Sequence, residues 1–196
     1  MKNIAAMVWL LGCVFIGCSD KSNPVNNGPR IDLIPLAVGN TWNYKFSAYD
    51  TTGNVYLTDT TVTKIVGDTA IANQMWYYQD VQGNYSANLQ NGYYTYSRYA
   101  QDSLRFGMVY KYPCQPGDKY SYTEVRQCDT LITVPAGTFS CIFYAYRLKT
   151  LDSFWYSDAY ISPGAGIVKA IGYSFKDDRN HIFLWWVQEL LSYHLQ

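Results

Sequence analysis

Five cysteines, two histidines and fifteen carboxylates are the groups in this 196-residue chain that could serve as nucleophiles, bases or metal ligands. Hydrolysis by acyl transfer needs a nucleophile beside a base, yet neither a G-x-S-x-G elbow nor an H-E-x-x-H segment occurs. His181 follows a turn and His194 lies near the C-terminus, so each reads as a surface residue. Glycoside hydrolysis needs two carboxylates that may be distant along the chain. Here Asp152, Asp158 and Glu189 stand isolated, and most other acids fall in turns. Asp177-Asp178 has no D-x-D-x-D-G loop around it for calcium. Gly164-Ala165-Gly166 has neither a following helix nor a lysine at phosphate-loop spacing. No CxxC or Cys/His spacing suggests zinc. These residues set the expectation of a non-enzymatic protein with no catalytic residue, metal or cofactor.

Two of the cysteines sit in an N-terminal segment with its own chemistry. Lys2 supplies a positive start and Ile4 to Ile16 is an uncharged apolar run, shorter than the roughly 20 residues of a membrane span. The run ends in Phe15-Ile16-Gly17-Cys18 and turns polar at Ser19-Asp20-Lys21. That is the pattern of a lipobox, in which the thiol is acylated and becomes the mature N-terminus. Leu10-Leu11-Gly12-Cys13 competes, with a more typical leucine. Cys13, however, precedes Val14-Phe15-Ile16, whereas a tether leaving a bilayer should be polar, so Cys18 is preferred. The expected organisation is a signal peptide over 1–17, a flexible tether over 18–30 and one folded domain over 31–196.

Removing the first 17 residues leaves 179, with 14 basic against 15 acidic groups and a formal charge of −1. A nearly neutral chain offers no electrostatic footprint for nucleic acid. The expected partner is instead a membrane, through the N-terminal lipid, with a lipid, a glycan or an envelope protein as possible ligand. In an oxidising envelope, two of Cys114, Cys128 and Cys141 should pair. Cys114 and Cys128 bracket a short loop and form the favoured disulfide; Cys141 sits mid-strand, where a thiol behaves as a small apolar group.

Binding chemistry points to the aromatics, which make up 17% of the chain and include 20 tyrosines. Trp76, Tyr78, Tyr94, Tyr96 and Trp155 fall in strand-like stretches, where alternate side chains share a face. Trp76 and Tyr78 share one face, and Tyr94 and Tyr96 another. Lining a concave sheet, such stripes could hold an acyl chain or stack on sugar rings; core packing is the competing role.

The elements that must position these residues are strands. Turn signals recur about every ten residues with no helix-period segment between them. Expected strands run over 41–49, 55–66, 74–81, 85–90, 93–99, 104–112, 119–126, 153–161, 166–176 and 181–195, the last with a helix at 185–191 as its alternative. Gly67-Asp68 and Asn91-Gly92 are expected turns. Thr130 to Lys149 reads as a hairpin around a three-residue loop, Pro135-Ala136-Gly137. That register pairs Val134 with Thr138, Thr133 with Phe139 and Leu131 with Cys141, and puts Leu131 on one apolar face with Phe139, Cys141 and Phe143. With both faces apolar, the hairpin belongs at the centre of a sheet. The whole predicts an all-β fold: a single antiparallel meander, curved into a half-barrel or barrel-like sheet.

Four blocks then resemble a family. PLAVGNTWNY (35–44), VPAGTF (134–139), SPGAGIVK (162–169) and ELLSY (189–193) are similar, in that order, to blocks of small uncharacterised bacterial envelope lipoproteins: a PLxxGxxWxY start, a VPAGTF hairpin and an APGVGLVK return strand. Ser162 stands where alanine is commoner. The resemblance implies a curved antiparallel sheet, related to lipoprotein-carrier half-barrels, and carries no activity with it. The resulting expectation is a lipid-anchored cell-envelope protein, periplasmic or surface-exposed, with a ligand-binding or structural role. A protein-interaction module and, more remotely, an envelope hydrolase are the alternatives.

Overall fold

The computed structural model describes residues 31–79, 84–99, 103–149, 154–175 and 181–196. The signal peptide and tether with Cys13 and Cys18, the turn at 82–83, Asp152 and the turn at 177–180 lie outside the described residues. Twelve strands follow one another: β1 Thr41–Tyr49, β2 Val55–Ile71, β3 Gln74–Gln79, β4 Asn84–Leu89, β5 Gly92–Tyr99, β6 Ser103–Lys111, β7 Lys119–Tyr120, β8 Thr123–Val134, β9 Gly137–Lys149, β10 Phe154–Ser162, β11 Gly166–Phe175 and β12 Ile182–His194. Among the described residues there is no helix. The final segment is a strand throughout, paired with β1 and β11.

The strands form one antiparallel sheet in the order β6-β5-β4-β3-β2-β1-β12-β11-β10-β9-β8-β7, nearly closed into a barrel. Every neighbour in this order is also a neighbour in sequence except β1 and β12. The fold is therefore a meander whose first and last strands meet mid-sheet, leaving a seam between β6 and β7. Antiparallel neighbours need only short turns, which is why a chain punctuated every ten residues arrives at this topology.

One end of the barrel is plugged by residues 31–40, which precede β1. Leu33, Ile34 and Leu36 are buried, and the irregular backbone around them is satisfied from four directions. Gly164 N–H donates to Asp32 O at 2.8 Å and Gly39 N–H to Ile65 O at 2.8 Å. Asn88 Nδ2 donates to Ile34 O at 2.7 Å. The fully buried Asn40 donates from Nδ2 to Pro35 O at 3.0 Å and accepts the Gln196 N–H at 2.9 Å. Buried polar backbone must be paired, and these contacts supply that pairing. The four sequence blocks gather at this same end. The Trp42 indole donates to Ala165 O at 2.7 Å, joining the first block to the third. Ala136 N–H donates to Leu190 O at 3.1 Å, joining the second to the fourth.

Tyrosines fill the space inside the seam. Tyr93 stacks on Tyr110 at 6.0 Å, and Tyr110 meets Tyr144 at 4.9 Å. Their hydroxyls find partners: Tyr93 on Ser86 Oγ at 2.7 Å, Tyr144 on Lys111 O at 2.7 Å and Tyr120 on Val109 O at 3.1 Å. An apolar ring with a polar tip suits a core crossed by unpaired strand ends.

Several expected registers are corrected. The β8–β9 hairpin turns on two residues, Pro135-Ala136, with Val134 opposite Gly137, Thr133 opposite Thr138 and Thr130 opposite Cys141. A one-residue slip exchanges the faces of an arm. Leu131 is accordingly 72% exposed, while Val134 joins Cys141 in the core. The hairpin also lies toward one end of the sheet, with β8 next to last, rather than at its centre. The β4–β5 turn is Gln90-Asn91, with Leu89 opposite Gly92. Gly67-Asp68 is no turn; β2 runs on to Ile71 with a register shift between Ile65 and Gly67, and Ala72 and Asn73 turn the chain at positive φ. Gly67 is needed there because a Cβ would overlap the Tyr78 ring. The stretch expected as one strand over 119–126 is broken by a turn at Ser121-Tyr122 into β7 and the start of β8.

Candidate functional site

The end of the barrel opposite the plug carries an aromatic cleft on the concave face. Pairing places it: Trp155 lies opposite Leu148, Ser157 opposite Tyr146 and Gly172, and Gly172 opposite Trp186. Ser157, Gly172 and Trp186 thus share a face with the buried Ala159, Ile161 and Val168. Trp186 lies against Gly172 so closely that any Cβ there would overlap the indole, and its other flank stacks on Phe46 at 6.2 Å. A register shift between Gly172 and Tyr173 makes Trp185 an extra residue of β12. Trp155 is 59% exposed and Trp185 41%. Together with Tyr146, Ser157 and Trp186 they border a cleft of about 130 Å³.

Behind the cleft, on the convex face, stands a polar cluster. Asp158 is 6% exposed; its carboxylate takes Arg147 Nη2 at 2.6 Å and the Tyr173 hydroxyl at 2.9 Å. Arg147 Nη1 donates to Ser157 O and Tyr146 O, both at 2.8 Å. The guanidinium lies 5.4 Å from the Tyr156 ring centre and 5.9 Å from that of Tyr173. Burial, aided by the hydrogen bond to Asp158, pushes the Tyr173 phenol up to about 12. Asp158 is thus neutralised by an ion pair and holds two strands in register beneath the tryptophans. It presents no free carboxylate for acid–base chemistry. Glu189 is likewise tied to Lys169 at 2.8 Å. His181 and His194 are exposed, and among the described residues no group of three His, Cys, Asp or Glu gathers as metal ligands.

Of the expected binding aromatics, Trp155 alone lies in this cleft. Trp76 is buried at 4% exposure. Tyr78 faces Tyr85, and Tyr85 faces Tyr96, across β3, β4 and β5. Trp76, Tyr78, Tyr94 and Tyr96 therefore share one face, not two. Their rings pack in a continuous run, Trp76 to Tyr96 at 5.7 Å, Tyr96 to Tyr85 at 5.9 Å and Tyr85 to Tyr78 at 5.9 Å. That face is opposite the one from which Tyr77 and Tyr93 pack on the core, so the stripe does not line the concave side. Tyr94 donates to Asn91 Oδ1 at 2.9 Å. Trp185 and Trp186 escaped sequence reasoning although they adjoin in a terminal strand; only their pairing with Gly172 reveals which face the second one takes.

Three cavities bordered by described residues measure about 120, 130 and 160 Å³, each well under the roughly 300–1,000 Å³ of ligand pockets that enclose a molecule. Acyl-chain enclosure is not supported by these volumes; stacking on an exposed ring is. The expected disulfide is not formed: Cys114 and Cys128 are free thiols with sulfurs 3.9 Å apart, nearly twice the roughly 2.05 Å bond. The fold has brought the two side chains together without joining them.

No family model matches the chain, and no curated protein does. Two solved structures resemble it. One is a candidate lipoprotein from Parabacteroides distasonis, 15% identical, with a TM-score of 0.50 over 85% of this chain and 100% of the other. The second is a candidate exported protein of YmcC-like fold from Bacteroides fragilis, 15% identical, with a TM-score of 0.47 over the same shares. At such identity the first likeness shows a shared fold.

Proposed function

We propose that this protein is a lipid-anchored component of the bacterial cell envelope, acylated at Cys18 (Cys13 being the alternative), with a non-enzymatic ligand-binding role at the aromatic cleft. The carrying observation is the exposure of Trp155 and Trp185 around one cleft. Large aromatic surface left in water at a concave site marks a binding surface more often than a packing accident. The small cleft volume favours a ligand that stacks, such as a sugar ring, over an enclosed acyl chain. The test is intrinsic tryptophan fluorescence of the full chain in nanodiscs, titrated with N-acetylglucosamine oligosaccharides. A saturable change lost in Trp155→Ala supports the reading; an unchanged spectrum at millimolar sugar rejects it. Palmitate incorporation compared between Cys18→Ala and Cys13→Ala assigns the anchor.

A second reading, a protein-interaction module, is favoured by the edge of β2. Residues 55–64 pair with β1 on one side, whereas β3 pairs with β2 only over 65–71. Residues 55–62 are all exposed. Ile65 N–H bonds Asn40 O on the β1 side, so by antiparallel alternation Thr58, Thr60, Val62 and Lys64 turn their peptide groups outward. Such an edge is a template for an added strand. A photo-crosslinker at position 60 that yields no discrete adduct in cells would remove this reading.

A further inference from the structure

We propose that Cys114 and Cys128 are a disulfide site that closes the barrel's seam, with Cys141 left as a thiol. The inference rests on the envelope location proposed above for its oxidant, and on geometry for its choice of cysteines. Cys114 lies in the segment that leaves β6, at one end of the sheet order. Cys128 lies on β8, next to last at the other end, within the register shift between Gln127 and Thr130, which leaves Cys128 and Asp129 without a regular partner on β9. That shift sets the Cys128 sulfur 3.9 Å from that of Cys114 and 3.7 Å from the Cys114 carbonyl oxygen. A bond requires the two half-buried sulfurs to close from 3.9 Å to roughly 2.05 Å. Cys141 is fully buried, with its sulfur 3.8 Å from Phe139 O on its own strand.

Across the seam around this pair run Lys111 to Asp118 at 2.9 Å, Tyr120 to Val109 O and Tyr144 to Lys111 O, beside the Tyr110–Tyr144 ring contact at 4.9 Å. Tyr144 Oη also lies 3.7 Å from Cys114 Sγ, so the thiols sit where the two ends of the sheet share one tyrosine. The bond forms by exchange with a protein disulfide donor. One cysteine thiolate attacks a donor sulfur, breaking the donor's S–S bond and releasing one donor thiolate. The other cysteine, deprotonated in turn, attacks the first cysteine's sulfur in the mixed disulfide and expels the second donor thiolate. Two electrons pass to the donor, and the two protons lost from the cysteines end on its thiols.

Trypsin cleaves after Lys111, Lys119, Arg126 and Arg147, so the bridge joins peptide 112–119 to peptide 127–147. Cys128 and Cys141 share the second peptide, and a Cys141→Ala chain tells them apart. Full-length chain is alkylated in intact cells and mapped by mass spectrometry; in parallel, reduced purified chain is treated with oxidised glutathione. The expected result is the 112–119/127–147 link in both arms, retained in Cys141→Ala, and a melting temperature that falls by roughly 6–12 °C on reduction of the unmutated chain. A link in the glutathione arm and free thiols in cells overturns the envelope location and upholds the site. Folded chain that stays unlinked with glutathione, or that links through Cys141, overturns the site. The reductant comparison needs no variant and so reads out even if Cys141→Ala fails to fold.

Discussion

Raising the pH should unfold this protein cooperatively through the tyrosines that fill its core. Burial raises the phenols of Tyr44, Tyr93, Tyr110 and Tyr144 above the usual value of 10.0, with neighbouring tyrosines adding to the rise at Tyr44 and Tyr110. A folded-state value above the unfolded one means that the unfolded chain holds fewer protons once the pH passes 10. The stabilisation is therefore complete below pH 10 and is lost as pH rises. Each phenol that stays protonated while its unfolded counterpart ionises costs about 1.4 kcal/mol per pH unit. Four acting together cost about 5 kcal/mol per unit. Against a native stability of roughly 5–15 kcal/mol, unfolding should fall about one to three units above pH 10. Tyrosinate absorbance and far-ultraviolet circular dichroism, followed on one sample, check this. The exposed tyrosines titrate first, and the last ones ionise in a steep step that coincides with loss of the β signal. Tyr110→Phe should lower the slope by about a quarter. Ionisation of every tyrosine near pH 10, with the β signal intact, would refute the placement of these rings in the core.

Three further outcomes follow from named contacts. Gly172→Ala should displace the Trp186 indole and cost about 1–3 kcal/mol, seen as a shifted tryptophan emission and a lower denaturation midpoint. Asp158→Asn leaves the partly exposed Arg147 without its carboxylate, and should lower stability by about 2 kcal/mol in a urea titration. Asp59 caps the outward Thr60 N–H through its Oδ1 at 2.7 Å; Asp59→Val removes both the cap and the charge, and should produce concentration-dependent association by sedimentation where the parent chain sediments as a smaller species.

The four sequence blocks owe their positions to closure rather than to chemistry. They converge on the plugged end, where Trp42 meets Ala165 and Ala136 meets Leu190. The polar cluster behind the cleft has a similar standing. Asp158, isolated in sequence, acquires Arg147 from β9 and Tyr173 from β11 only because those strands flank β10. Local order therefore says little about which residues end beside one another across the sheet.

The sequence by itself determined that the chain is all-β, antiparallel and a meander, because turn residues and β-prone runs act within a few residues of one another. The placement of glycine at a hairpin was not legible, since Gly137 and Gly92 suit the end of a loop and the start of a strand equally. Burial across the sheet chose, by drawing Val134 in and leaving Leu131 out. Tertiary structure likewise decided which aromatics face the cavity: strand parity orders side chains along one strand, but bulges at Val66 and Trp185 reset it, and only pairing with the neighbouring strand fixes the face. The approach of Cys114 to Cys128, and the placing of Trp155 and Trp186 around one cleft, are settled at that level, by pairing between strands.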